Sequence, residues 1–144
     1  MNVYFEQVER PEDEQALIKA VELNTNIRAA IDLLENGAQK ISVQNGSETY
    51  MCPVKDIYYI ESVDKRTYIY TKSACYEVKL RLRDLETKLS GYFARSSKAM
   101  IINLRKIKSV SSEIGGRMNA VLLNDETVVI ARSYVKEIKR RLEL

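Results

Sequence analysis

The sequence predicts a mainly β domain with two short helices, preceded by a small N-terminal segment that is either helical or α/β. From Gln44 onward, short runs of aromatic and β-branched residues alternate with turn residues. Only two later stretches keep their apolar residues at helical spacing. With 144 residues, 45% of them hydrophobic and 30% charged, the chain suffices for one domain plus a small appendage.

In the N-terminal segment the clearest element is an amphipathic helix over 26–36. Asn24-Thr25-Asn26 supplies cap residues, and Ile27, Ala30, Ile31 and Leu34 follow at helical spacing. Asn36-Gly37 closes it, with a glycine suited to the left-handed conformation of a helix end. The stretch 11–23 stays open between two readings. Pro11 with Glu12-Asp13-Glu14 suits a first helical turn, whereas Leu17, Ile18 and Val21 suit a strand paired with Val3-Tyr4-Phe5. A linker is expected between Gly37 and Gly46, which divides the chain into 1–44 and 45–144.

Beyond it, Asp56–Glu61 and Thr67–Thr71 read as a hairpin, with Cys75–Lys79 as a third strand. Leu82, Leu85 and Leu89 mark a helix that Gly91 ends. Strands resume at Tyr92–Arg95, Met100–Asn103 and Ile107–Val110. Gly115-Gly116 marks a turn, after which Arg117–Leu123 pairs with Thr127–Ala131. A helix begins near Ser133, apolar at Val135, Ile138 and Leu142. Lys139, Arg140 and Arg141 lie at its C-terminal end, where the helix dipole favours cations.

Composition excludes several functions. There is no histidine, and Cys52 and Cys75 are the only cysteines. A Cys/His zinc site needs about four ligands, so it is ruled out together with His-based triads. No phosphate loop, metal-ligand motif or nucleophile elbow appears, so neither an enzyme nor a cofactor is expected. The cysteines read as two buried free thiols in a reducing compartment. The N-terminus lacks the pattern of a signal peptide, and no stretch approaches the ~18 apolar residues of a membrane span. The expectation is a soluble, cytoplasmic protein.

The net charge of +3 conceals an asymmetry. Residues 1–44 carry four basic and eight acidic side chains, whereas the rest carries 19 basic and 12 acidic. A basic segment beside an acidic one points to a polyanion partner for the second alone. Several cations also fall where strands turn: Lys65-Arg66 at a hairpin tip, Arg95 and Lys98 around Ser96-Ser97, Arg105-Lys106 after the next strand, and Arg132 at the start of the last helix. Loop cations on stiff strands can reach phosphates or base edges, and arginine or lysine can read guanine through O6 and N7. Spacing alone does not establish that these loops converge. Tyr58, Tyr59, Tyr68, Tyr70 and Tyr76 could stack single-stranded bases, although cross-strand packing is the commoner use of such residues. Double-stranded DNA is therefore weighed against an RNA- or single-strand-binding β-module and against a protein–protein interaction module.

Residues 92–107, Tyr-Phe-Ala-Arg-Ser-Ser-Lys-Ala-Met-Ile-Ile-Asn-Leu-Arg-Lys-Ile, resemble the signature of the LytTR family of bacterial DNA-binding domains. In that signature an aromatic-x-Arg segment runs into a hydrophobic strand ending in Asn. Asp56–Ser62 resembles the family's opening strand, and Leu123–Val135 its closing hairpin and helix start. The resemblance spans about 45–144 and implies a stack of small β-sheets whose loops enter successive major grooves, often as a homodimer. It implies a sequence-specific transcriptional regulator with DNA contacts at Lys65, Arg66, Arg95, Ser97, Lys98 and Arg132. Many members carry His where this chain has Ser97, and serine reaches less far. A receiver domain, common in the family, needs more than 44 residues, so phosphorylation of the chain's own receiver is not expected. Similar short regulators imply a small membrane protein as a restraining partner, and residues 1–44 are the candidate for meeting it or for dimerisation.

Overall fold

The computed structural model describes residues 1–36, 39–89 and 91–144. The chain forms two compact units, 1–37 and 38–144.

In the first unit, helix α1 (Thr25–Asn36) starts where the Asn24 carboxamide oxygen accepts a hydrogen bond from the Ile27 amide at 3.0 Å. That is the N-cap interaction the cap residues predict. Gly37, expected to close the helix, lies outside the described residues. The open question over 11–23 resolves to neither reading. A single 3-10 turn, Pro11–Asp13, forms after Arg10, whose guanidinium forks onto the Asp13 carboxylate at 2.8 and 3.0 Å. Val3, Tyr4, Phe5, Leu17 and Val21 are all exposed. Two short apolar runs make no sheet of their own, because an isolated strand pair is at best marginal in water.

The second unit begins with a hairpin whose first strand lies inside the expected linker. Strand β1 (Lys40–Asn45) pairs with β2 (Glu48–Pro53). Ile41 and Val43 are buried while Ser42 is exposed and Gln44 only half-buried, the period-two alternation of a strand. Strands β3 (Tyr59–Val63), β4 (Arg66–Tyr70) and β5 (Cys75–Val78) follow, then helix α2 (Leu82–Lys88). After it come β6 (Phe93–Ser97), β7 (Met100–Asn103), β8 (Ile107–Ser112), β9 (Met118–Leu122), β10 (Thr127–Ile130) and helix α3 (Arg132–Arg141). The pairings are antiparallel throughout and build two sheets, β2-β1-β5-β4-β3-β7-β6 and β10-β9-β8.

The larger sheet has apolar residues on both faces. On one face, Ile41, Val43, Ile60, Ile69, Phe93 and Ile101 pack with Leu82, Leu85 and Leu89 around α2. On the other, Tyr58, Ala94 and Ile102 pack with Met118, Ala120, Leu122, Val128 and Ile130 of the smaller sheet and with Ile138 of α3. Ile138 is fully buried, which is worth roughly 1.5–3 kcal/mol and anchors the helix along β6. The Arg141 guanidinium fastens the far end of α3 by donating to the Phe93 carbonyl at 2.8 Å.

Asn103 ties the two cores together. Its buried side-chain amide donates to the Ile57 carbonyl at 2.7 Å, and its side-chain oxygen accepts from the Arg105 amide at 3.0 Å. Its own amide donates to the Tyr58 carbonyl at 2.9 Å. Both cysteines are free. Cys52 is buried as expected, and burial beside Asp56 pushes its thiol up to about 11. Cys75, expected to be buried, is exposed, because it opens β5 at the loop that follows β4.

Replacing Asn103 with Ala strips the buried Ile57 carbonyl of its donor, and should cost about 2–3 kcal/mol in urea unfolding of the chain. A loss below about 0.5 kcal/mol would show that the amide is not what joins these segments.

Candidate nucleic-acid interface

Antiparallel pairing dictates which turns share an end of the sheet. Strand β3 runs into the Asp64-Lys65 turn and pairs with β7 through Glu61 and Met100. The Lys98-Ala99 turn before β7 therefore lies beside the end of β3, and the Ser62 amide donates to the Ala99 carbonyl at 2.8 Å. On the outer side of β6, the Ala131 amide donates to the Ser96 carbonyl at 2.8 Å, which fixes the start of α3 next to the same turn. Met118 pairs with both Ser112 and Ile130, so the loop 113–117 ends there too. A methyl group built on Gly116 would meet the Arg132 side chain at 3.0 Å. Four loops thus converge at one end of the second unit.

Lys65, Arg66, Lys98 and Arg132 are exposed at that end. Arg66 lies 3.9 Å from Glu77, a loose solvent-exposed pair of little energetic weight. Arg132 opens α3, where the helix dipole disfavours a cation by roughly 0.3–1 kcal/mol. Its position is therefore not explained by helix stability.

Arg95 and Ser97 are differently placed. The Arg95 side chain is 20% exposed and bonds Glu86 of α2 at 3.0 Å and the Lys98 carbonyl at 2.6 Å. It clamps the turn to the helix. The Ser97 hydroxyl accepts from the Ala99 amide at 3.2 Å and so shapes the same turn. A register shift between Arg95 and Ser97 makes Ser96 a bulge, with its hydroxyl buried and without a hydrogen-bond partner. Bulges re-aim the residues beyond them, here Ser97 and Lys98.

Arg105 and Lys106 do not join this cluster. They follow β7 at the opposite end of the sheet, Arg105 over the Tyr92 ring at 4.0 Å and Lys106 over Tyr58 at 5.1 Å. Arg117, which sequence reasoning missed, does belong with the converging loops. It is exposed and 3.6 Å from Glu113, and the Gly115-Gly116 turn directly before it was the available signal. Most of the candidate tyrosines pack against neighbours, and Tyr68 is half-buried. Tyr59 stacks on Tyr70 at 4.4 Å, Tyr50 leans on Tyr76 at 5.2 Å, and Tyr58 is buried. Burial, with the Glu126 carboxylate of the β9–β10 turn nearby, raises the Tyr59 phenol above its ordinary value.

Comparison with known proteins identifies the family and the fold. The family profile of the LytTr DNA-binding domain matches residues 47–143. A sensory transduction protein LytT of Enterococcus faecalis is 28% identical over 117 residues, which cover 76% of this chain and 48% of that protein. The chain thus corresponds to about half the length of that relative. An HTH-type transcriptional regulator of Staphylococcus aureus is 28% identical over 130 residues, covering 88% of each. The fold matches the LytTr DNA-binding domain of a Bacillus cereus protein with a TM-score of 0.70 at 21% identity, over 74% of this chain and 98% of that one. Despite the name of the Staphylococcus relative, α2 and α3 are here separated by five strands and form no helix-turn-helix. Among the described residues no helix is long and apolar enough to cross a membrane. The chain belongs to the LytTR family of DNA-binding domains.

Proposed function

We propose that the protein is a sequence-specific transcriptional regulator that inserts the converging loops into successive major grooves of double-stranded DNA. The observation that carries this reading is the convergence itself: separate loops bring Lys65, Arg66, Lys98, Arg117 and Arg132 to one end of a rigid two-core unit. Lys65, Arg66, Lys98 and Arg132 meet DNA directly, and Arg117 adds a phosphate contact. Arg95 holds the Lys98 loop in place. The Ser97 hydroxyl keeps its proton for one further hydrogen bond to a base or phosphate. Packed tyrosines offer poor platforms for stacking bases, which favours the duplex over single strands.

The protein works in the cytoplasm as a homodimer in this reading, because repeated sites one helical turn apart call for two copies. The first unit supplies the dimer contact or meets a small membrane protein that restrains the regulator. Its Ile18, Ile31 and Leu34 line an open hollow flanked by Glu14 and Glu35. Removing residues 1–36 should convert the dimer to a monomer by mass in solution. An unchanged oligomeric state would sink the dimer role of that unit.

Selection from random duplex DNA at near-physiological salt should enrich a motif repeated at about one helical turn of ~10 base pairs. Arg132→Ala should then lower affinity by about 1–3 kcal/mol and flatten preference at one base-pair position. Retention without enrichment would reduce the interface to a basic surface.

The Asp64-Lys65 turn gives a second test. Both residues are left-handed, with φ of 50° and 65°, in a hairpin that favours Asn-Gly. Lys65→Gly should therefore raise stability by about 0.5–1 kcal/mol in thermal unfolding. It should also weaken duplex binding and reduce the salt slope by about 0.9, one phosphate contact. If affinity and salt slope stayed unchanged, Lys65 would have no part in the interface.

A further inference from the structure

We propose that Gly116 is a positioning residue for DNA recognition, a bare stretch of backbone on which the Arg132 side chain lies and which fixes the direction in which its guanidinium leaves the protein. The proposal rests on the reading above that Arg132 meets DNA.

The backbone of Arg132 is already fixed, since it opens α3 directly after the Ala131–Ser96 hydrogen bond. Its side chain is exposed and has several rotatable bonds, so the helix start alone does not select one direction. The β8–β9 loop supplies the missing constraint. A Cβ on Gly116 would stand 3.0 Å from Cγ, 3.1 Å from Cδ and 3.2 Å from Nε of Arg132. The arginine therefore runs along the glycine over most of its length, in space that any other side chain would take. A group held in its bound direction before the ligand arrives loses less freedom on binding.

The neighbouring glycine provides an internal control. Gly115 and Gly116 both have positive φ, +89° and +83°, and both are disfavoured for L-residues. A Cβ on Gly115 would meet nothing within 4 Å. Turn geometry alone asks for both glycines equally, whereas only Gly116 lies beneath Arg132.

The test compares Gly115→Ala with Gly116→Ala in the full chain, reading affinity for the selected duplex, the base-preference profile and the melting temperature. Both variants carry similar backbone strain and should melt alike. Gly116→Ala should bind about 5- to 10-fold more weakly and flatten preference at the same base pair as Arg132→Ala. Gly115→Ala should change affinity less than about 2-fold and leave the profile intact. The double variant of Gly116→Ala with Arg132→Ala should bind no more weakly than Arg132→Ala alone, because the bed then has nothing to hold. If Gly116→Ala fails to fold, Gly116→Asn takes its place, since asparagine tolerates the left-handed region and still fills the bed. Equal effects of the two glycine variants, an additive double variant, or uniform weakening at every site would overturn the proposal. If Arg132→Ala itself leaves the profile untouched, the interface reading falls along with it. If Arg132→Ala flattens the profile and Gly116→Ala does not, only the bed is lost.

Discussion

Strand β7 stands between two hydrophobic cores, and the rest of the domain takes its position from that fact. Ile101 enters the core under α2, and Ile102 enters the core shared with the smaller sheet and α3. A slip of one residue would exchange the two faces and damage both cores at once. Register is therefore tightly held at the strand whose first residue follows the Lys98-Ala99 turn. At its other end Asn103 hydrogen-bonds the Ile57 segment that leads into β3. The height of one loop relative to the next is thus set by apolar packing well below the surface that carries the charge.

That surface has an electrostatic cost of its own. Cations from several loops stand together with Glu77 and Glu113 as partial counterweights, while Glu86 is engaged with Arg95. Like charges held close destabilise the folded unit, and in the proposed complex a phosphate backbone would relieve the repulsion. Because a ligand that binds only the native state also stabilises it, DNA binding and folding stability are linked here. Short turns on a twin-core scaffold suit this arrangement, since the strands behind them leave little freedom for repulsion to spread the loops apart.

What could be read from the sequence was what depends on local pattern. Met100–Asn103 is a strand as its apolar run implies, and the hairpin between the two aromatic strands is present, with its tip at Asp64-Lys65, one residue before the expected Lys65-Arg66. The stack of sheets is legible only through the family resemblance of residues 92–107 and their flanking motifs. The β1–β2 hairpin was missed although Ile41 and Val43 alternate with polar neighbours, because Gly46 and the polar residues around it read equally well as a linker. At the converging loops, residue type singled out Lys65, Arg66, Lys98 and Arg132 as candidates, but their meeting depends on pairings between residues far apart in the chain, such as Ser62 with Ala99 and Ser96 with Ala131. The engagement of Arg95 by Glu86 is equally non-local, since a helix and a strand must first be packed before the pair exists. Cys75 escaped for a related reason: whether a strand's first residue is covered depends on the loop beside it.

The two edges of the larger sheet are managed differently. At β6, the Phe93 and Ser96 carbonyls are taken up by Arg141 and by the amide that precedes α3, so this edge is partly capped from within. At β2, the strand starts with Glu48 and ends with Pro53, which has no N–H to offer a neighbouring strand. A protein gathered along a polymer meets its own copies at far higher effective concentration than it does free in solution. Under such crowding an unguarded strand edge would template indiscriminate sheet-to-sheet growth. The charge and the proline on β2 therefore work against strand-to-strand growth between copies at that edge.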